Sequence, residues 1–351
     1  MPDIAQIDKN FEVKTEIGSE LVYYNALSAP FSVHGLMHDG EIYRRMPKEV
    51  AERVNPGVAG LHRHTAGGRV RFVTNSPKVA FRAKMHNIGK MPHFAFSGSA
   101  GFDLYEKVDG EQRFIKGLVP PIAIEDGYSG AIELGAPKMR ELTFNFPQYA
   151  GVYTLEIGIN DGAVLEPAPE YTVSKPIVFY GSSITQGACA TRPGNSYENI
   201  ISREFDCDYI NLGFSGHAKG ETAMAEYIAG LDMSAFVYDY DYNAPTPEHL
   251  RATHEPMFKI IRASHPTLPI IMMSRPTYTP DAEWQERLEI IKTTYNNAKA
   301  LGDENVYLIT GKELTAISRY DTTVDTVHPT DFGFYSISVA LSRVLHKIFD
   351  K

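Results

Sequence analysis

The hydrophobic period of this chain changes once, after Glu166-Pro167-Ala168-Pro169, and that change divides what the chain can fold into. Before it, from about Val13 to Tyr171, short runs alternate apolar and polar residues: Arg69 to Thr74, Val79 to Met85, Phe102 to Val108, Arg140 to Phe146 and Tyr153 to Ile159. Asp39-Gly40, Asp109-Gly110, Asp126-Gly127 and Asp161-Gly162 separate them, with Gly67-Gly68, and such pairs accept the positive φ of tight turns. This half predicts an all-β sandwich of jelly-roll topology over residues 1–170.

After the Pro-rich linker, apolar runs of strand length alternate with helical segments. The runs are Pro176 to Tyr180, Tyr209 to Leu212, Ala235 to Tyr240, Pro269 to Met273 and Val306 to Ile309, and they read as buried parallel strands. Between them lie Ser196 to Phe205, Glu221 to Ala229, and segments opened by Thr246-Pro247-Glu248 and Thr279-Pro280-Asp281. Each of the last two offers a hydroxyl cap, a proline at the first helical position and an early acid. A closing helix from about Phe332 to Phe349 puts Ile337, Leu341, Val344, Leu345 and Ile348 on one face. Residues 171–351 are therefore expected to form a doubly wound, flavodoxin-like α/β domain with a parallel sheet.

Composition narrows the function. The 34 basic and 43 acidic residues leave a net charge of −9, which gives no basic surface for nucleic acid. No apolar run approaches the roughly 18 residues of a membrane span, and Met1 to Asn10 carries Asp3, Asp8 and Lys9 where a signal peptide needs an apolar core. The expectation is a cytoplasmic protein without membrane partners. Its two cysteines, Cys189 and Cys207, are too few for a disulfide scaffold, and Cys189 is expected as a packed thiol.

Ligands of an open α/β sheet bind beyond the carboxyl ends of its strands, so the residues after each run carry the chemistry. The first run ends in Gly181-Ser182-Ser183-Ile184-Thr185-Gln186-Gly187, the second in Asn211-Leu212-Gly213-Phe214-Ser215-Gly216-His217, the third in Asp241-Tyr242-Asn243, and Asp325-Thr326-Val327-His328 precedes the last helix. A serine hydroxyl needs a base, a neutral imidazole supplies it, and a carboxylate on the other ring nitrogen fixes the tautomer. Ser183, His328 and Asp325 are that set. The Ser183 N–H, the Gly216 N–H and the Asn243 side chain are candidate donors to an oxyanion.

On these four ordered blocks the sequence resembles the SGNH, or GDSL-type, hydrolases over about Lys175 to Phe349. The β half is similar to the amino-terminal domain of one SGNH subgroup through Gly101-Phe102-Asp103-Leu104-Tyr105 and Thr65-Ala66-Gly67-Gly68-Arg69. Asn243-Ala244-Pro245-Thr246-Pro247 and Thr253-His254-Glu255-Pro256 resemble the same subgroup. The resemblance implies the triad roles above and favours Gly216 over Gly213 in the oxyanion hole. It departs from the family at Ser182, where Asp is usual, and at Ala244, where the common Gly-x-Asn-Asp form has Asp.

The resemblance further implies a serine esterase, acting through an acyl-enzyme on Ser183 without metal or other cofactor. Short acyl groups are expected, O-acetyl groups on oligosaccharides in particular. A lipid or thioester acylhydrolase is the alternative among enzymes, and a carbohydrate-binding protein on an inactive SGNH scaffold the alternative outside them. Tyr242, Arg275 and His217 are weaker candidates for substrate contact, each with a plain structural role beside it. His249, His254 and Glu255 lie close together but lack the spacing of a known zinc motif, and capping or subunit contacts are preferred. Edge strands and the sandwich surface offer contacts for a homo-oligomer.

Overall fold

The structure is a computed structural model that describes residues 4–8, 20–279 and 281–350. The start of the expected β region at Val13, Asp3 and Lys9 of the leader reading, and Pro280 lie outside the described residues.

Two antiparallel sheets form the amino-terminal half. One runs Leu21–Asn25, Gly151–Asn160, Lys78–His86, Gly127–Glu133; the other runs Leu165–Glu166, Arg69–Thr74, Arg140–Asn145, Phe102–Val108, Glu111–Leu118, with Ser32–His34 also paired to Arg69–Thr74. Their facing side chains make one apolar core, in which the rings of Phe102 and Phe144 stack at 5.2 Å and Phe81 packs on Phe102 at the same distance. The Asp109-Gly110 hairpin has φ 54° and 85° at its two residues, the left-handed pair that a two-residue turn requires. The strands Leu21–Asn25, Glu111–Leu118 and Gly127–Glu133 were not expected from alternation. Glu111–Leu118 is mostly exposed on the sheet edge, and Gly127–Glu133 contains two glycines.

The other half is a five-stranded parallel sheet in the order Cys207–Gly213, Val173–Gly181, Ala235–Asp239, Ile270–Met273, Val306–Ile309. In sequence terms this is 2-1-3-4-5, the flavodoxin-like order. Alternate residues of the strands enter two helical layers. Val178, Tyr180, Tyr238 and Met272 meet Met224, Leu250 and Ile261 on one face; Ile177, Phe179, Val237 and Met273 meet Tyr197, Phe334 and Leu341 on the other. Thr246 caps the helix Pro247–Ser264 by accepting from the His249 N–H. The next helix begins two residues later than expected: Ala282–Ala300 is capped by Asp281, which accepts from the Trp284 N–H, and not by Thr279. No helix among the described residues is long and apolar enough to cross a membrane.

The halves share more than a linker. Two short helices of the amino-terminal half, Lys48–Val54 and Pro56–Leu61, send Val50, Ala51 and Val58 into the core that Val178, Leu212 and Met224 line. Arg69 reaches across the junction to pair with Asp208, and its guanidinium lies 3.8 Å from the centre of the Tyr209 ring.

Candidate active site

Register puts three strand ends side by side. Gly181 pairs with Gly213 on one flank and with Asp239 on the other. The switch point of the sheet order lies between Gly181 and Asp239, and Ser183, Gly216 and Asn243 follow the three strand ends by two, three and four residues.

Ser183 is buried, and its Oγ lies 2.9 Å from His328 Nε2. His328 Nδ1 lies 2.7 Å from Asp325 Oδ2. The turn that makes a three-residue spacing work is closed by the same aspartate: its Oδ1 accepts from the Val327 N–H at 3.0 Å and from the His328 N–H at 2.7 Å, with Thr326 at φ 73°. Thr323 bridges Pro329, and the Val324 N–H donates to the His328 carbonyl at 2.9 Å. Partial burial raises the Asp325 carboxyl, but the hydrogen bonds from the His328 ring and the two N–H groups outweigh it and bring it down to about 2. An ionised Asp325 can only accept, so His328 Nδ1 carries the proton and Nε2 is left to accept from the Ser183 hydroxyl. Thr330, not His328, caps the last helix, Asp331–Phe349.

Of the two glycines after the second strand, Gly213 has its N–H committed to Asn211 Oδ1 at 2.9 Å. Gly216 sits at φ 71° with open space on the side where a Cβ would be, and neither its N–H nor that of Ser183 makes a hydrogen bond among the described residues. Asn243 donates from Nδ2 to the Phe214 carbonyl at 2.9 Å, which ties the third strand end to the second and leaves one amide proton to spare.

Several supporting groups carry no local signal in the sequence. Gln186, one turn beyond Ser183, accepts from the Ser215 N–H at 3.1 Å. Its Nε2 lies 3.1 Å from His64 Nδ1; burial pushes His64 down to about 3, so that ring is neutral and accepts. Tyr149 donates to the Ser183 carbonyl at 3.3 Å, and Phe94 packs on the Tyr149 ring at 5.2 Å. His93 Nε2 is 3.4 Å from Asp325 Oδ2. His64, His93, Phe94 and Tyr149 all come from the amino-terminal half, so the sandwich walls the site. From the other side buried Arg287 donates to the Asp241 carbonyl at 2.6 Å and the Ala244 carbonyl at 3.0 Å, clamping the turn that bears Asn243.

The weaker candidates are held by contacts of their own. His217 bonds through Nδ1 to the Ser215 carbonyl at 2.8 Å, and its ring packs on Gly57 of the helix Pro56–Leu61, where no side chain would fit. Arg275 lies 4.3 Å from the centre of the Tyr242 ring, and its N–H donates to the buried Asp241 carboxylate at 2.9 Å. Tyr242 leaves the face shared by Tyr238 and Tyr240 and packs against the opposite layer. His254 is buried, with Nδ1 2.8 Å from Thr294 Oγ1, whereas Glu255 turns outward to Lys259 and His249 reaches the Lys219 carbonyl, so these three form no common site.

Comparison with known proteins agrees with this architecture. Residues 174–346 match the GDSL-like Lipase/Acylhydrolase family, and residues 21–165 match the family described as the N-terminus of Esterase_SGNH_hydro-type. A protein of Bacteroides ovatus ATCC 8483 assigned as a GDSL-like lipase superimposes with a TM-score of 0.84 at 27% identity, over 94% of this chain and 98% of that one. A salicylyl-acyltransferase from a tetracycline biosynthetic pathway does so with a TM-score of 0.78 at 19% identity, over 94% and 98%. An acetyl xylan esterase from the rumen bacterium Butyrivibrio proteoclasticus has a TM-score of 0.60 at 12% identity, also over 94% and 98%. No curated protein matches.

Proposed function

This chain belongs to the SGNH, or GDSL-type, hydrolases, with an amino-terminal domain of the kind that precedes SGNH-type esterases, and from that premise we propose that it is a serine esterase that removes short acyl groups, O-acetyl groups of oligosaccharides in particular. The observation that carries the reading is the continuous path from Ser183 Oγ through the His328 ring to Asp325, with contacts of 2.9 and 2.7 Å.

In this mechanism Ser183 Oγ attacks the ester carbonyl carbon while its proton moves to His328 Nε2. The Ser183 and Gly216 N–H groups and the free amide proton of Asn243 hold the oxyanion. Collapse breaks the bond to the sugar oxygen, which leaves with the proton from His328, and water then cleaves the acyl-enzyme by the same route. Asp325 remains ionised throughout and holds the imidazolium. The acetylated sugar is suggested by the carbohydrate esterases that share this two-part fold, and the short acyl group by the wall that Tyr149 and Phe94 build against the nucleophile turn.

Acetate release from acetylated xylo-oligosaccharides, measured beside p-nitrophenyl esters of increasing acyl length, tests the proposal in the parent chain and in Ser183→Ala. Acetyl release that disappears in the variant is expected. A rate that peaks at long acyl chains would replace the substrate class with lipids or thioesters, and no release by either protein would remove the hydrolase reading.

A further inference from the structure

Three groups with metal-binding atoms meet beside the nucleophile, and only one of them belongs to the triad. His93 comes from the amino-terminal half, Cys189 from the loop after Ser183, and His328 from the turn before the last helix; one ligand atom from each lies within 4.8 Å of the others. The His93 and His328 ring centres are 6.0 Å apart, and His93 Nε2 is 3.4 Å from the Asp325 carboxylate. Cys189 is buried, held in a left-handed backbone conformation with φ 72° and packed against Phe94, Tyr149 and Ala188. His93 is the adjustable member, with 46% of its side chain exposed.

Zinc bonds of about 2.0–2.3 Å in a tetrahedral site place neighbouring ligand atoms ~3.3–3.8 Å apart, so the cluster must close by about 1 Å, within the reach of an exposed histidine ring. The donor set of two imidazoles and a thiolate is the soft, borderline chemistry that zinc prefers over magnesium or calcium.

We propose that a soft divalent cation such as zinc binds His93, Cys189 and His328 and holds the enzyme reversibly inactive. A ring nitrogen of His328 given to the metal is lost either as the acceptor for the Ser183 hydroxyl or as the donor to Asp325, so metal and catalysis exclude each other. Binding exchanges the Cys189 S–H bond for a metal–sulfur bond and releases the proton to solvent, with no change of oxidation state. The metal is an inhibitor here and not a cofactor. The binding half of the proposal rests on geometry alone, and the inhibitory half rests on the role proposed above for Ser183 and His328.

The test titrates the full chain with zinc alone, reading bound metal by equilibrium dialysis and turnover with p-nitrophenyl acetate, for the parent, His93→Ala and Cys189→Ser. Expected are one zinc per chain, inhibition reversed by a chelator, and zinc binding weakened at least about tenfold in each variant, while zinc-free turnover persists in Cys189→Ser. Variants that bind zinc and are inhibited as the parent is, or a parent that binds none at tens of micromolar, would overturn the proposal. Should no protein turn over any ester, dialysis still decides the metal site, while the esterase reading fails separately.

Discussion

The carboxylate of Asp103, in the amino-terminal half, accepts the main-chain N–H of Gly194 in the other half at 2.8 Å. Asn145 donates to the same carboxylate at 2.7 Å, and Arg192 pairs with it at 3.3 Å. Gly194 fits only because it has no side chain, since a Cβ there would strike the Tyr105 ring. The loop so anchored continues to Asp331, which accepts from the Thr191 N–H at 2.9 Å and the Asn195 side chain at 2.8 Å, three residues beyond His328. The Gly-x-Asp-Leu-Tyr motif thus acts as a joint between sandwich and catalytic half, and its aspartate is buried completely.

Removing that carboxylate leaves the Gly194 N–H and the Arg192 guanidinium without their partner. Asp103→Ala is expected to destabilise the chain by about 2–4 kcal/mol, and Asp103→Asn by less, because an amide oxygen still accepts from Gly194. Urea denaturation measures the difference. A loss under about 0.5 kcal/mol for the alanine variant would remove the joint from the account.

The triad predicts graded losses. Ser183→Ala and His328→Ala should each lower kcat by about a thousandfold or more, while Asp325→Asn, which keeps the shape but not the charge, should cost about a hundredfold to ten-thousandfold. Circular dichroism should show all three folded. Because Asp325 sits at about 2 against an ordinary 3.8, its ionisation supports the native state above pH 3.8 and is withdrawn as the pH falls through 2. Activity lost on the acid side above pH 4 must therefore follow one proton, and not that of Asp325. A limb steeper than one proton in kcat/KM would contradict this.

The oxyanion donors are predicted from the same geometry. Asn243→Ala should lower kcat by about a hundredfold to a thousandfold with little change in KM, since the amide matters most where charge develops. Arg287→Met should show the same pattern more weakly, because that guanidinium, also paired with Glu283 at 2.8 Å, donates to the carbonyls of Asp241 and Ala244, which hold the Asn243 turn. Rescue of most of the Arg287→Met loss by lysine would mark the clamp as positional. An unchanged kcat in Arg287→Met would show that the turn holds without it.

Much of this was legible because period and order are local properties. The five parallel runs, the strand-end blocks and the Asp325–His328 turn each occupy a few adjacent residues, so Ser183, His328, Asp325, Gly216 and Asn243 could be named before any contact was known. What escaped came from afar. His64, His93 and Tyr149 reach the site from hairpins and loops of the other half, and Arg287 comes from the middle of a helix. No short-range pattern distinguishes a tyrosine that walls a nucleophile turn from one in a core. The helices Lys48–Val54 and Pro56–Leu61 were hidden among strand signals, and their place is set by the Val178–Leu212 core that they cover. The glycines of Gly127–Glu133 masked a strand that only its neighbour Lys78–His86 defines.

Glu198 offers a prediction on stability alone. It lies fully buried on the helix Tyr197–Phe205, and burial pushes its carboxyl from an ordinary 4.5 up to about 8. Between these values the folded chain keeps a proton that the unfolded chain releases, so stability falls as the pH rises from 4.5 and levels off above about 8. Glu198→Gln keeps the size and removes the ionisation. Its Tm should match that of the parent near pH 4.5 and exceed it by several degrees at pH 8, as a difference of up to a few kcal/mol implies for a chain of this size. Thermal melts across that range read the gap directly. A gap that stays constant with pH would mean that Glu198 is ionised in the folded protein and finds its counter-charge nearby.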